Sequence, residues 1–231
     1  MYKSKNILKE NKEFYALILI FLLSSFVVLI SFGNVEIFLS LNSKHSFWLN
    51  IFFVNYTFFG DGIFTLALCG ILFYKKQHKL ALCILVAFLT SGIFVQVLKN
   101  LIFAPRPIIF FEASQYLFKL DNFGNSGGGY SSFPSGHTTS AFALATTLTV
   151  YFRKKYMGIL LFLAAILVGY SRVYLAQHFP IDVLIGALIG TLFATLSIIF
   201  LKKEIKFYVP KNNSYKLLDR IDYLSNKLKL G

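Results

Sequence analysis

The sequence predicts an all-α polytopic membrane protein whose six transmembrane helices form one bundle, with both termini in the cytoplasm. Hydrophobic residues make up 56% of the 231 residues and charged residues only 14%, against about 25% charged residues in a typical soluble domain. Several apolar runs approach the roughly 20 residues that cross the hydrocarbon core as a helix. The connections between these runs are alternately rich and poor in basic residues, as are loops on opposite sides of a bilayer.

Each predicted span is bounded by polar or turn-forming residues. The first follows a charged N-terminal stretch and is too long for the apolar core of a signal peptide. The second opens on FFGDG, the third follows KKQHK, and the fourth begins within PSGH. The fifth follows RKK, and the sixth follows the proline of HFPID, which suits the first turn of a helix. The spans are Phe14–Phe32, roughly Phe58–Tyr74, Leu80–Leu98, roughly Gly136–Phe152, roughly Tyr156–Leu175 and Ile181–Leu201.

The distribution of positive charge sets the predicted orientation. Of the 23 Lys and Arg residues, 18 lie before the first span, after the second, after the fourth or after the last. These segments share one side if the spans alternate, so the positive-inside rule places them in the cytoplasm. The net charge of +13 is therefore assigned to topology and anionic lipid headgroups, and no nucleic-acid partner is predicted. Residues 1–231 form a single membrane domain with its core at 90–200 and basic tails at 1–13 and 202–231.

Polar residues on the predicted outer side fall in three clusters. The first is KNLIFAPRP, with Lys99 and Arg106; the second is PSGH, residues 134–137; the third is SRVYLAQHFPID, residues 171–182. Ionisable residues at the edge of a membrane are energetically costly and are functional candidates by default. The outer ends of the third to sixth spans emerge on one face, so the three clusters are predicted to meet there.

The predicted pocket is suited to an anion. Lys99, Arg106 and Arg172 would set three positive charges beside two histidines and one aspartate, an arrangement that attracts phosphate. His137, His178 and Asp182 are of the types found in a two-His, one-carboxylate metal site. The neighbouring cations would repel a metal ion, so neither a metal nor another cofactor is predicted.

Local geometry gives these residues further roles. Pro134 and Ser135 precede an apolar run, so PSGH is predicted at a helix start, where free N–H groups and the helix dipole favour an anion. Asp182 lies in the first turn of the last helix and can reach back to His178. A carboxylate that accepts the Nδ1–H of this imidazole leaves Nε2 as the nucleophilic nitrogen.

Together these residues read K-x6-RP, PSGH and SR-x5-H-x3-D, a pattern that resembles the three-part motif of the type 2 phosphatidic acid phosphatase superfamily. The resemblance is close over roughly residues 90–200 and implies an integral membrane lipid phosphatase with an acid phosphatase or haloperoxidase-like site. The matching positions are Lys99, Arg106, Pro107, Pro134, Ser135, Gly136, His137, Ser171, Arg172, His178 and Asp182.

The resemblance also implies a role for each residue. His178 attacks phosphorus to form a phosphohistidine, Asp182 orients it, and His137 protonates the leaving oxygen. The phosphoryl oxygens are held by Lys99, Arg106, Arg172, Ser135 and the Gly136 N–H. The cations stabilise the transferring phosphoryl group, so no metal is required.

An active site at the outer interface suits a phosphate on a lipid whose tail stays in the bilayer. The candidate substrates are an isoprenoid carrier diphosphate, phosphatidylglycerol phosphate, phosphatidic acid and the phosphates of lipid A. The bias towards Lys, Asn, Ile and Phe indicates an AT-rich bacterial genome. The predicted location is therefore the bacterial inner (plasma) membrane, with the site facing the periplasm or the exterior.

Several alternatives accompany this interpretation. Asp61 in FFGDGIF is interpreted as a turn or helix-start residue, with a supporting position near the site as its alternative. An intramembrane serine protease using Ser135 would leave the cations without a purpose. A non-catalytic lipid binder or transporter would not explain the pairing of His178 with Asp182. A haloperoxidase-type use of the pocket with vanadate is disfavoured by the six spans.

Overall fold

The computed structural model describes residues 7–113 and 129–201, and these ranges are helical throughout apart from short connections. Their β pairing is limited to one isolated bridge between Ala104 and Ser131. The helices are α1 (Ile7–Glu10), α2 (Lys12–Phe32), α3 (Asn34–Leu41), α4 (Phe47–Tyr56), α5 (Gly62–Tyr74), α6 (His78–Leu101), α7 (Pro107–Ala113), α8 (Gly136–Phe152), α9 (Lys155–Tyr174) and α10 (Pro180–Leu201), with a 3-10 turn at Thr57–Gly60. The predicted all-α class is confirmed for the described residues.

Four described helices, α2, α6, α9 and α10, are long and apolar enough to cross a membrane. A further candidate span is the bent pair Phe47–Gly60 and Gly62–Tyr74, whose two parts meet at an angle of 56°. Helix α8 coincides with the predicted fourth span, but its 17 residues make it shorter than these four helices. Much of α8 is buried inside the bundle, where its threonines pack on protein. Residues 7–113 and 129–201 therefore contain four or five candidate spans by length and composition.

The second predicted span begins later than expected. We predicted a helix from about Phe58, whereas α5 starts at Gly62 after the 3-10 turn. The side chain of Asp61 accepts a hydrogen bond from Ile63 N at 2.8 Å and so caps the new helix. This N-cap, of a kind that aspartate commonly provides, explains the interruption of an otherwise apolar run.

Helix α8 is the centre of the bundle and packs against α6, α9 and α10. Its approach to α10 is close because α10 carries glycines one turn apart, at Gly186 and Gly190. A Cβ atom at Gly190 would lie 2.3 Å from the carbonyl oxygen of Thr139. Small residues at this spacing let two membrane helices approach backbone to backbone. The contact fixes the start of α8 relative to the start of α10.

Helix α3 holds the connection between α9 and α10 in place. Phe38 of α3 is fully buried and packs on Phe179 of that connection. The amide of Asn42 donates to the carbonyl oxygens of Val173 and Tyr174, at 2.9 and 2.8 Å. These carbonyls lie at the end of α9, where backbone acceptors lack partners within the helix. The connection is thus clamped by both polar and aromatic contacts.

The two ends of the bundle differ in chemistry. At one end, Ile7, Cys83, Val150 and Ile198 form a buried apolar cluster. Nearby, the Arg153 guanidinium lies 3.0 Å from the Glu10 carboxylate, which joins the N-terminal segment to the connection between α8 and α9. The opposite end gathers the C-terminal ends of α6 and α9 and the N-terminal ends of α8 and α10. The predicted tail at 202–231, and residues 1–6 of the N-terminal tail, lie outside the described residues.

Candidate active site

The predicted site residues meet at one end of the bundle. Lys99 lies in the last turn of α6 and Arg172 in the last turn of α9, while Ser135 caps α8 and Asp182 lies in the first turn of α10. The charges of Lys99, Arg106 and Arg172 all act on His137. Three clusters that are far apart in sequence therefore form one site.

His178 and Asp182 form a buried pair. Nδ1 of His178 lies 3.4 Å from Oδ2 of Asp182, and each residue is only 2% exposed. The same oxygen accepts a hydrogen bond from the backbone N of Phe179 at 2.9 Å. Nε2 of His178 has no hydrogen-bond partner among the described residues. The carboxylate is thus positioned to hold the proton on Nδ1, and Nε2 keeps a free lone pair.

Burial keeps His178 neutral. Removal from water lowers the pKa of His178 from 6.5 to about 4, because the charged imidazolium is poorly solvated inside the protein. The hydrogen bond to Asp182 opposes this shift, and the positive charge of Arg172 reinforces it. At neutral pH the imidazole is therefore unprotonated, which is the state a nucleophile needs.

Ser132 is a part of this site that sequence reasoning missed. Its side chain is fully buried, and its hydroxyl donates to Asp182 Oδ2 at 2.5 Å. The backbone joins the same two segments, because Ser135 N donates to the carbonyl oxygen of Asp182 at 3.0 Å. Ser132 stands just outside PSGH in a run of serines and glycines, so the local sequence gave no signal to separate it from its neighbours.

Arg172 is held by two residues that the sequence did not indicate. The guanidinium donates from Nη1 to Thr57 Oγ1 at 2.5 Å and from Nη2 to Gln177 Oε1. Arg172 is 5% exposed, and its Nε has no hydrogen-bond partner among the described residues. The Nε of Arg106 is likewise buried without a partner in this part of the chain. Both guanidinium groups therefore retain a buried donor suited to a phosphoryl oxygen.

The cations of the site are not neutralised by carboxylates in the described ranges. The ion pairs there involve His137, Arg153 and His178, and none involves Lys99, Arg106 or Arg172. An excess of positive charge at a partly buried site favours an anionic ligand. No group of three or more His, Cys, Asp or Glu side chains arranged for a metal ion occurs in the described residues.

Ser135 and Gly136 form the helix start that was predicted as an anion site. Ser135 is fully buried, and its Oγ accepts hydrogen bonds from Thr138 Oγ1 at 2.8 Å and Thr138 N at 3.4 Å. The hydroxyl hydrogen of Ser135 has no acceptor among the described residues. A Cβ atom at Gly136 would meet no atom within 4 Å, so a ligand can approach the backbone there closely.

His137 opens onto a cavity of about 230 Å³ between α5, α6 and α8, which is also lined by Lys99, Gly136 and Phe88. Nε2 of His137 lies 3.6 Å from Oδ2 of Asp61. The other carboxylate oxygen of Asp61 caps α5. Asp61 thus both starts a helix and lies beside the site, so the two interpretations considered from the sequence are compatible. His137 therefore has a neighbouring carboxylate in Asp61, as His178 has in Asp182.

Several known proteins are similar to this chain in sequence or in fold. The sequence profile of the PAP2 superfamily matches residues 80–206, which include all the predicted site residues. An undecaprenyl-diphosphatase of Sulfolobus acidocaldarius is 28% identical over 193 residues, 80% of this chain and 89% of the relative. A lipid A 4′-phosphatase of Bacteroides thetaiotaomicron is 33% identical over 165 residues, 68% of this chain and 72% of the relative. The crystal structure of a transmembrane PAP2 type phosphatidylglycerolphosphate phosphatase from Bacillus subtilis matches with a TM-score of 0.61 and 26% identity, covering 84% of this chain and 98% of that one.

Proposed function

The chain belongs to the PAP2 superfamily, and from this premise we propose that it hydrolyses a phosphate monoester or diphosphate on a membrane lipid and releases inorganic phosphate. The observation that carries the proposal is the buried pairing of His178 with Asp182, which leaves Nε2 of a neutral imidazole without a partner among the described residues. This nitrogen shares the site with Lys99, Arg106 and Arg172. The arrangement supplies a nucleophile and the charges that a phosphoryl group requires.

In the first step, Nε2 of His178 attacks phosphorus while the bond from phosphorus to the leaving oxygen breaks. The product is a phosphohistidine, and Asp182 stabilises the positive charge that develops on the imidazole through Nδ1–H. His137, protonated at the start, gives its proton to the leaving oxygen. The lipid therefore departs as an alcohol, or as a lipid monophosphate when the substrate is a diphosphate.

In the second step, water attacks the phosphohistidine. Neutral His137 accepts a proton from this water as the new bond from oxygen to phosphorus forms. The bond from phosphorus to Nε2 breaks, inorganic phosphate leaves, and both histidines return to their starting states. The two histidines need opposite protonation states at the start of the cycle, with His178 neutral and His137 protonated.

Lys99, Arg106, Arg172, the Ser135 hydroxyl and the Gly136 N–H hold the phosphoryl oxygens in this scheme. The Nε atoms of the two arginines are buried and have no hydrogen-bond partner in the described ranges, which supports that assignment. Phosphoryl transfer depends chiefly on positioning and on stabilisation of charge. Since three fixed cations can provide that stabilisation, we propose a reaction that needs no divalent metal.

We further propose six spans, with both termini in the cytoplasm and the site at the outer face of a bacterial inner membrane. The gathering of Lys99, Ser135, Arg172 and Asp182 at one end of the bundle supports this topology, as does the position of Arg153 at the other end. The positive-inside rule assigns the end with Arg153 to the cytoplasm. A lipid headgroup at the outer interface would then reach the site while its tail remained in the bilayer.

The relatives' names suggest the substrates to test: undecaprenyl diphosphate, lipid A and phosphatidylglycerol phosphate. Phosphatidic acid completes the set proposed from the sequence. The full chain, purified in detergent with EDTA, is incubated with each lipid and the released phosphate is measured. We expect release from at least one of these lipids, and a labelled, acid-labile phosphoenzyme when the reaction is quenched early.

The control variants separate the site from the rest of the protein. His178→Ala is expected to abolish both phosphate release and phosphoenzyme formation, whereas His78→Ala, at an exposed position on α6, retains both. Activity that disappears in EDTA and returns with a divalent ion contradicts the metal-free scheme. A His178→Ala variant with normal turnover refutes the nucleophile. Binding of the lipids with no phosphate release from any of them would favour the lipid-binder alternative.

A further inference from the structure

We propose that Asp61 is a positioning residue for His137: it holds the proton of Nε2 and thereby directs the exchange of protons with the leaving oxygen and the water through Nδ1. This inference rests on the proposed function, since it assigns a partner to the residue that serves there as the general acid. Asp61 lies outside residues 80–206, which match the family profile, so no motif indicates it.

The geometry brings Asp61 to His137 from a different helix. Asp61 stands at the junction of the 3-10 turn and α5, while His137 lies in the first turn of α8. Oδ2 of Asp61 is 3.6 Å from Nε2 of His137, and the two side chains are 35% and 29% exposed. A close contact at Gly60 fixes this junction, because a Cβ atom there would lie 2.8 Å from the carbonyl oxygen of His137. The Asp61 carboxylate is therefore held close to the imidazole of His137.

The charges around His137 explain why a carboxylate is needed. Lys99, Arg106 and Arg172 belong to the same site, and their positive charges oppose protonation of the imidazole. Asp182 is already engaged by Ser132, Phe179 and His178. Among the described residues, Asp61 is the only carboxylate in ion-pair contact with His137. Within the described ranges it is thus the carboxylate placed to pair with the protonated imidazole.

The position of Asp61 also determines which nitrogen of His137 exchanges protons with the substrate and the water. The 3.6 Å separation of Asp61 from His137 is an ion-pair distance, longer than a hydrogen bond. In the proposal the contact shortens when His137 is protonated, and the other imidazole nitrogen is left to exchange protons. With Nε2–H directed to Asp61, protonated His137 donates the proton of Nδ1 to the leaving oxygen and becomes neutral with Nε2–H retained. Nδ1 then takes the proton of the attacking water. Each turnover therefore returns His137 to its starting state without a change at Asp61.

Asp61 also caps α5 through Oδ1, so its variants must separate capping from charge. Asparagine is about as good an N-cap as aspartate, and Asp61→Asn therefore keeps the helix start and removes the negative charge. Asp61→Ala removes both. Ser46→Ala is a matched control for cap loss, because the side chain of Ser46 accepts from Leu49 N at the start of α4 and does not contact the site.

The experiment measures kcat for phosphatidic acid, whose alcohol leaving group needs a proton, and for 4-nitrophenyl phosphate, whose phenolate leaves without one. Asp61→Asn and Asp61→Ala are both expected to reduce the rate with phosphatidic acid by about 10- to 100-fold, part of the typical contribution of a general acid. The ratio of kcat for phosphatidic acid to kcat for 4-nitrophenyl phosphate should fall, as it should in His137→Ala. In a His137→Ala background, Asp61→Asn should cause little further loss.

The outcomes are distinguishable. Wild-type turnover of phosphatidic acid by Asp61→Asn, with a loss only in Asp61→Ala, would reduce Asp61 to a helix cap and overturn the inference. An equal loss with both substrates would also overturn it, because the effect would not pass through the leaving-group proton. Inactivity of the wild-type protein toward every lipid phosphate and the nitrophenyl ester would instead contradict the proposed function.

Discussion

Ser132 donates its hydroxyl hydrogen to Oδ2 of Asp182 at 2.5 Å, and both side chains are almost fully buried. Oδ2 is also the oxygen that faces Nδ1 of His178. A buried carboxylate must have its lone pairs satisfied, and each hydrogen bond to it limits the directions in which it can turn. Ser132 therefore holds the Asp182 carboxylate in place, and this carboxylate in turn orients the imidazole of His178.

We predict that Ser132→Ala lowers kcat by about 5- to 150-fold, since removal of one hydrogen bond to a charged group costs roughly 1–3 kcal/mol. Phosphate release from a lipid substrate measures the effect, and the midpoint of thermal unfolding in detergent should fall as well. Ser131→Ala is the matched control, because Ser131 is adjacent in the chain and only half-buried. Equal turnover in the two variants would show that the bond from Ser132 has no role in catalysis.

Asp182→Asn tests the tautomer of His178. Because Phe179 N and His178 Nδ1 both face Oδ2 of Asp182, an NH2 group at that position would donate to Nδ1 and leave the N–H of Phe179 without its acceptor. The imidazole proton then moves to Nε2, which loses its lone pair for attack. We expect a loss of at least about 100-fold in kcat, by analogy with the effect of this change in Ser-His-Asp triads, and no detectable phosphoenzyme. Formation of phosphoenzyme at the wild-type rate would contradict the proposed orientation.

The buried, neutral His178 predicts a dependence of stability on pH. Because its pKa is lowered from 6.5 to about 4 by burial, the unfolded chain takes up a proton at a higher pH than the folded protein does. The contribution of neutral His178 to the free energy of unfolding is fully present above pH 6.5 and is lost as the pH falls towards about 4. The maximal loss is roughly 3 kcal/mol.

The measurement compares wild type with His178→Gln between pH 7.5 and 4.5, using the midpoint of thermal unfolding. The midpoint of wild type should fall more steeply with decreasing pH than that of the variant, and His78→Gln, at an exposed position, should follow wild type. Parallel curves for wild type and His178→Gln would mean that His178 is not buried in its neutral form.

Helix positions were largely predictable because an apolar run of membrane-spanning length leaves the chain few alternatives. The predicted spans Gly136–Phe152 and Ile181–Leu201 agree with α8 and α10 to within one residue at either end. Asp61 was correctly interpreted as a turn or helix-start residue, but the span was still predicted to start at about Phe58, since a single N-cap does not change the average hydropathy of the run. Helix α3 was also missed, because it lies in a connection and is held by tertiary contacts.

The charged residues of the site were identified from the sequence because charge is costly at the edge of a membrane. The residues that hold these charged side chains in place were not identified from the sequence. Ser132 and Asp182 are 50 residues apart, and Asn42 and Val173 are 131 residues apart. A serine or an asparagine is unremarkable in a loop, and only the folded arrangement reveals what its side chain contacts. Thr57 and Gln177, which hold Arg172, are further examples.

The last prediction concerns the packing of α10 on α8. A Cβ atom at Gly186 would lie 2.7 Å from the carbonyl oxygen of Ser135, and a backbone oxygen cannot give way as a flexible side chain can. Gly186→Ala should therefore separate the two helix starts and strain the hydrogen bond from Ser135 N to the carbonyl of Asp182. We expect a loss of about 1–3 kcal/mol in stability, typical of overpacking, and a lower kcat.

Gly70→Ala provides the matched control, because a Cβ atom at Gly70 of α5 meets no atom within 4 Å. An alanine in the middle of a helix is favoured over glycine by roughly 0.5–1 kcal/mol, so this variant should be as stable as wild type or more stable. Thermal unfolding and phosphate release are measured for both variants in the same detergent. If Gly186→Ala matched Gly70→Ala in both measurements, the contact between α8 and α10 would not set the geometry of the site. If kcat fell by more than the loss of stability could explain, the strain would lie at Ser135 and Asp182.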